Sequence, residues 1–195
     1  RFPAEEALVN ALGFPSAGAA AVRERLVGRR FPGPIGVNLG KNAVTPLEHA
    51  VGDFEAALLA LWDVADYVVL NVSSPNTPGL RTLQDPARLG YLVERMVQLD
   101  RELAQLHGEP SRPLFVKVAL DVEEIVLDEI VETLVATGAA GLVLGNTGAD
   151  PALWPAGGEG LPGASVVGRC GSGRSSDSCG RPSARASAWC WSVSV

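Results

Sequence analysis

Apolar runs alternate with helical stripes along most of this chain. Short runs at 34–39, 67–72, 114–119 and 141–144 read as strands, and the run Tyr67–Leu70 as a buried one. The spacing around them predicts helices over 17–28, 47–62, 86–107 and 122–137. In the last of these, Ile125, Val126, Ile130, Val131, Leu134 and Val135 make one apolar stripe. The punctuation agrees with these limits. Pro46 and Pro86 fall near first turns, Asp85 and Asp121 stand where N-caps belong, and Gly138 stands where the last helix must end. Strand–helix alternation of this kind predicts an α/β fold with a parallel sheet.

Such a sheet is either open and doubly wound or closed into a barrel. No strand is followed by Gly-x-Gly-x-x-Gly, and no Gly-Lys-Ser/Thr phosphate loop occurs. Instead, each strand end carries a different polar residue: Asn38, Asn71, Lys117 and Asn146. Side chains converging from several strand ends are a (β/α)8 habit, but a full barrel takes roughly 250 residues. The expectation is therefore a partial (β/α)8 TIM barrel of about four strand–helix units over residues 1–165. An irregular tail should follow over 166–195.

Composition narrows the function. The 195 residues suffice for one domain with a sizeable core, and 47% of them are hydrophobic. A net charge of −6 argues against a nucleic-acid partner, which needs a basic stripe. No 18-residue apolar run is present, and the opening Arg1-Phe2-Pro3-Ala4-Glu5-Glu6 is not a signal peptide. The chain does not begin with Met, which fits a processed or incomplete polypeptide. Cys170, Cys179 and Cys190 all lie near the end, at spacings that match neither a zinc site nor a disulfide framework. A reducing compartment is the default. The tail itself is rich in Ser and Arg and holds Trp189-Cys190-Trp191. It reads either as disordered or as the product of a shifted reading frame.

The densest chemistry is Asn71-Val72-Ser73-Ser74-Pro75-Asn76-Thr77-Pro78-Gly79-Leu80-Arg81, directly after the second strand. It sets amides, hydroxyls and a rigid turn at a strand's carboxyl end, where parallel α/β folds do chemistry. Alone, these residues are also what an ordinary polar turn would use. Lys117 lies inside an apolar strand, where an ammonium needs a partner; the alternative is a lysine facing outward under a helix. His49 and His107 read as structural, and Lys41, after Gly40, reads as a surface lysine.

Taken together, five segments resemble the dihydroorotate dehydrogenase family, in the class that uses a serine base. They are Asn10-Ala11-Leu12-Gly13-Phe14, Gly36-Val37-Asn38-Leu39-Gly40-Lys41-Asn42, the Asn71–Arg81 loop, Val116-Lys117-Val118-Ala119 and Gly145-Asn146-Thr147, in the family's order. The resemblance runs from about Val9 to Gly163 and implies FMN as cofactor. It implies Ser74 as the base that takes a proton from dihydroorotate, giving orotate. Asn10, Ala11, Leu12, Gly13, Phe14, Asn71, Asn76, Asn146 and Thr147 would bind the substrate. Asn38, Asn71, Lys117, Gly145 and Gly163 would bind the flavin. A membrane quinone would be the final electron acceptor. The chain would sit peripherally on the cytoplasmic face of the inner membrane, through a segment absent here. Two alternatives stand beside this: another FMN barrel acting on pyrimidines, and a non-catalytic remnant of the enzyme. The family's hydroxyl residues beside the Asn-Thr pair are replaced by Gly145 and Gly148, and Gly157–Gly163 only partly resembles its Gly-Gly-Leu-Ser-Gly loop.

Overall fold

The computed structural model describes residues 8–10, 14–119, 122–145 and 165–167. Its centre is a four-stranded parallel sheet made of β2 (Gly36–Leu39), β3 (Tyr67–Asn71), β4 (Leu114–Val118) and β5 (Gly141–Leu144), in that order. Four helices accompany the sheet: α1 (Ala19–Leu26), α2 (Ala50–Leu61), α3 (Pro86–His107) and α4 (Glu124–Thr137). Each helix touches the next, α1 on α2, α2 on α3 and α3 on α4. Sequential strand order with one layer of neighbouring helices is the arrangement of consecutive barrel units. A doubly wound sheet would reverse its order. A separate antiparallel pair joins β1 (Leu8–Asn10) to β6 (Ser165–Val167), with Asn10 opposite Ser165. The first residues of the expected irregular tail thus pair as a strand.

Helix limits follow local chemistry. The Asp85 carboxylate accepts a hydrogen bond from the Arg88 amide, Pro86 occupies the first turn, and Gly108 leaves the helix at φ 66°. Caps of this kind contribute about 1 kcal/mol each, and α3 runs over the whole predicted range. The helices expected from 17, 47 and 122 begin two or three residues later. Residues Leu47–His49 form a tighter 3₁₀ turn entered from Pro46, so His49 precedes α2 rather than lying within it. The expected cap at Asp121 lies outside the described residues.

The two faces of the sheet divide the labour. Val37, Leu39, Val68, Leu70, Val116 and Val118 join Phe54, Leu58, Leu92, Met96 and Ile130 in one buried cluster under the helices. Alternation sends Asn38, Tyr67, Val69, Asn71, Phe115 and Lys117 to the opposite face. There the lower layer is aromatic. The Tyr67 and Phe115 rings meet edge to face, with centroids 5.9 Å apart. Glycine makes room for them. A Cβ on Gly36 would lie 2.1 Å from the Tyr67 ring, and one on Gly141 would lie 3.1 Å from Phe115.

Candidate active site

Above that aromatic layer the same face turns polar. Pairing sets Asn71 of β3 directly opposite Lys117 of β4. The apolar strand expected over Leu114–Ala119 forms as Leu114–Val118, and Lys117 is the charged residue in it, on the face away from the helices. Its Nζ donates to the Ser73 hydroxyl at 3.0 Å. That hydroxyl in turn donates to Asn71 Oδ1 at 2.9 Å, and the Ser73 backbone N–H donates to the same oxygen at 3.1 Å. Ser73 is fully buried and Asn71 is 5% exposed. A cation, a hydroxyl and an amide are therefore wired together where two strands end.

The loop beyond is anchored by side chains rather than by regular structure. Arg81 Nε donates to the Ser73 carbonyl at 3.3 Å. Gln84, itself buried, accepts from the Ala119 N–H at 2.9 Å and donates to the Arg81 carbonyl at 3.3 Å. The loop thus closes on both its own start and the end of β4. Gly79, at φ 70°, supplies the left-handed residue that opens the 3₁₀ turn Leu80–Gln84. Held this way, Ser74 is 7% exposed and its Oγ accepts from the Asn76 N–H at 3.3 Å. Thr77, three residues on, is 4% exposed.

Further predicted residues gather at the same end. Asn38 lies on the same face of β2 and is 6% exposed. Phe14 reaches the carboxyl end of β2, where a Cβ on Gly40 would lie 2.7 Å from its ring. Gly145 follows β5, and a Cβ there would meet nothing within 4 Å. Asn10 enters through the backbone of β1. Ala11, Leu12, Gly13, Asn146, Thr147 and Gly163 lie outside the described residues.

Two residues overlooked by the sequence reading belong here. Ser73 looked like one more turn hydroxyl, and only the register of Asn71 against Lys117 reveals its position between them. Lys41 is not a surface lysine. It is 2% exposed, and its Nζ donates to the carbonyls of Asn42 and Thr45 at 2.8 and 2.7 Å. Its charge is spent on holding the turn after β2, a role that no periodicity announces.

The donor set suits a flat heterocycle with carbonyl oxygens and ring nitrogens, such as a flavin. Asn38 is an almost buried amide, Asn71 has its oxygen engaged by Ser73, and Lys117 brings positive charge. Among the described residues no cluster could hold a metal ion, and no helix is long and apolar enough to cross a membrane.

The chain is similar to known proteins in sequence and fold. A sequence profile described as dihydroorotate dehydrogenase matches residues 1–152. A dihydroorotate dehydrogenase (quinone) of Myxococcus xanthus is 47% identical over 149 residues, covering 75% of this chain and 39% of that protein. One from Chloroflexus aurantiacus is 39% identical over 178 residues, covering 87% and 49%. The ligand-free DHODH of Eimeria tenella superposes with a TM-score of 0.74 at 30% identity, over 87% of this chain and 52% of that one. The chain thus spans less than half the length of these curated relatives. With the loop, the paired strands and the matched profile in agreement, this chain belongs to the dihydroorotate dehydrogenase family.

Proposed function

We propose that this chain carries the central strands of a serine-type dihydroorotate dehydrogenase, which oxidises dihydroorotate to orotate in pyrimidine synthesis. In this reading Ser74 Oγ takes the proton from C5 of the substrate. Hydride leaves C6, and the C5–C6 bond becomes double. FMN, bound on the face that carries Asn38, Asn71 and Lys117, would accept that hydride and hand the electrons to a membrane quinone. Lys117 offers an ammonium where negative charge accumulates on reduction. Asn71 and Asn76 orient the substrate through amide donors and acceptors held at fixed geometry. A serine hydroxyl is a weak base, so burial of Ser74 and closure of the loop by Arg81 and Gln84 matter as much as the hydroxyl itself.

The observation that carries this reading is the wiring of Asn71, Ser73 and Lys117 one residue before Ser74. It supports a flavin-side cation and a substrate-side base on the same strand ends. The names of the relatives support the quinone acceptor; peripheral attachment to the inner membrane belongs to the same proposal. An anaerobic absorbance spectrum with FMN, recorded before and after dihydroorotate, tests the proposal. Bleaching of the flavin band is expected. Absence of any FMN binding would refute activity in this chain and favour a non-catalytic remnant.

A further inference from the structure

Ser73 occupies a position that neither the base nor the ligand contacts account for. Its hydroxyl accepts from an ammonium and donates to an amide oxygen, while being wholly shielded from water. We propose that Ser73 is a positioning residue which couples Lys117 to Asn71 and sets the polarity of the Asn71 amide. The backbone N–H of Ser73 can only donate, so the Asn71 atom beside it must be oxygen. With that oxygen engaged twice, Asn71 turns its NH₂ group toward the ligand. The ligand atom it meets must then be an acceptor, a carbonyl or carboxylate oxygen. Loss of the Ser73 hydroxyl would free Asn71 to rotate and would remove an acceptor from a part-buried ammonium, an unfavourable state for both groups.

The chain offers a clean test because it contains only two lysines, Lys41 and Lys117. Both donate hydrogen bonds to protein oxygens, so ¹⁵N-lysine labelling should give two protected ζ-ammonium signals, with Lys41 as an internal reference. In ligand-free Ser73→Ala, the Lys117 signal should shift or broaden through faster exchange, while that of Lys41 stays in place. Ser73→Thr keeps the hydroxyl and should keep the Lys117 signal. An unchanged Lys117 signal in Ser73→Ala overturns the coupling, as does a wild-type Lys117 that exchanges like a free lysine. Should Ser73→Ala lose its helical circular dichroism, Ser73→Thr decides alone: a folded variant without the protected Lys117 signal also overturns it.

The ligand half of the test rests on the flavin reading above. FMN should move the Lys117 signal and not that of Lys41, with affinity falling roughly tenfold in Ser73→Ala, as expected for a lost charge-assisted contact. If FMN moves neither signal in the wild type, the flavin reading fails, while the coupling still stands or falls on the ligand-free spectra. If FMN binds wild type and Ser73→Ala equally, the positioning role is refuted and the flavin reading survives.

Discussion

The two ends of the sheet hold similar buried polar groups and use them differently. At the amino end, Asp100 of α3 accepts from Trp62 Nε1 at 2.7 Å and from the Arg112 N–H at 2.9 Å. His107 stacks on Trp62, the Arg112 guanidinium lies 4.4 Å from the same ring, and Arg112 also pairs with Glu109. That cluster ties α2, α3 and the start of β4 together, although the Arg112 Nε within it is buried with no hydrogen-bond partner among the described residues. At the carboxyl end, Asn71, Ser73 and Lys117 are also linked, and the almost buried Asn38 lies on the same face of the sheet. The amino-end cluster joins elements of the fold, and the carboxyl-end cluster gathers an amide, a hydroxyl and an ammonium where strands end. In (β/α)8 proteins this is the usual division between the bottom and top of the strands.

Substitutions at either end should therefore separate stability from chemistry. The largest effect belongs to Ser74→Ala, which should slow flavin reduction by dihydroorotate by about 10²–10⁴-fold, the range for loss of a general base. Stopped-flow absorbance at equal FMN occupancy checks it, and FMN affinity should stay near the wild-type value. Asp100→Ala acts at the other end. It strands the Trp62 N–H and should lower unfolding free energy by about 2–4 kcal/mol, read by urea denaturation, with little effect on FMN affinity once the protein is folded. Gly36→Ala pushes a methyl into the Tyr67 ring and should cost about 1–3 kcal/mol, since overpacking forces the aromatic layer to shift. The Arg23–Asp63 pair lies at the surface, with the arginine side chain 43% exposed. Arg23→Ala should change stability by under about 1 kcal/mol, and added salt should shrink even that.

Much of this was legible in the residues. The whole of α3 could be read from Asp85, Pro86 and the apolar stripe because its start is fixed by a local cap. Strands β2 to β4 stand out because buried parallel strands are continuous apolar runs, and β5 shows the same apolar run although it is only half-buried, with Leu144 51% exposed. The loop at Asn71 stood out because so many polar residues follow such a run. What escaped depends on three-dimensional pairing. Ser73 acquires its role only from the register that sets Asn71 opposite Lys117. Lys41 is buried by carbonyls one and four residues along, which composition cannot distinguish from a surface turn. The helix starts near 47 and 122 were placed too early because apolar spacing does not separate a 3₁₀ turn or an extended lead-in from the first α turn. The β1–β6 pair joins segments from opposite ends of the chain, and no local pattern signals so distant a partner.

The most direct test of the contrast between the two ends is to measure FMN affinity and urea stability side by side in Lys117→Met and Asp100→Ala. The account predicts a crossover: Lys117→Met loses FMN binding while keeping near-native stability, and Asp100→Ala loses stability while keeping FMN affinity. If both variants lose FMN binding and stability in proportion, the carboxyl end is merely another part of the core, and the assignment of the site to it is wrong.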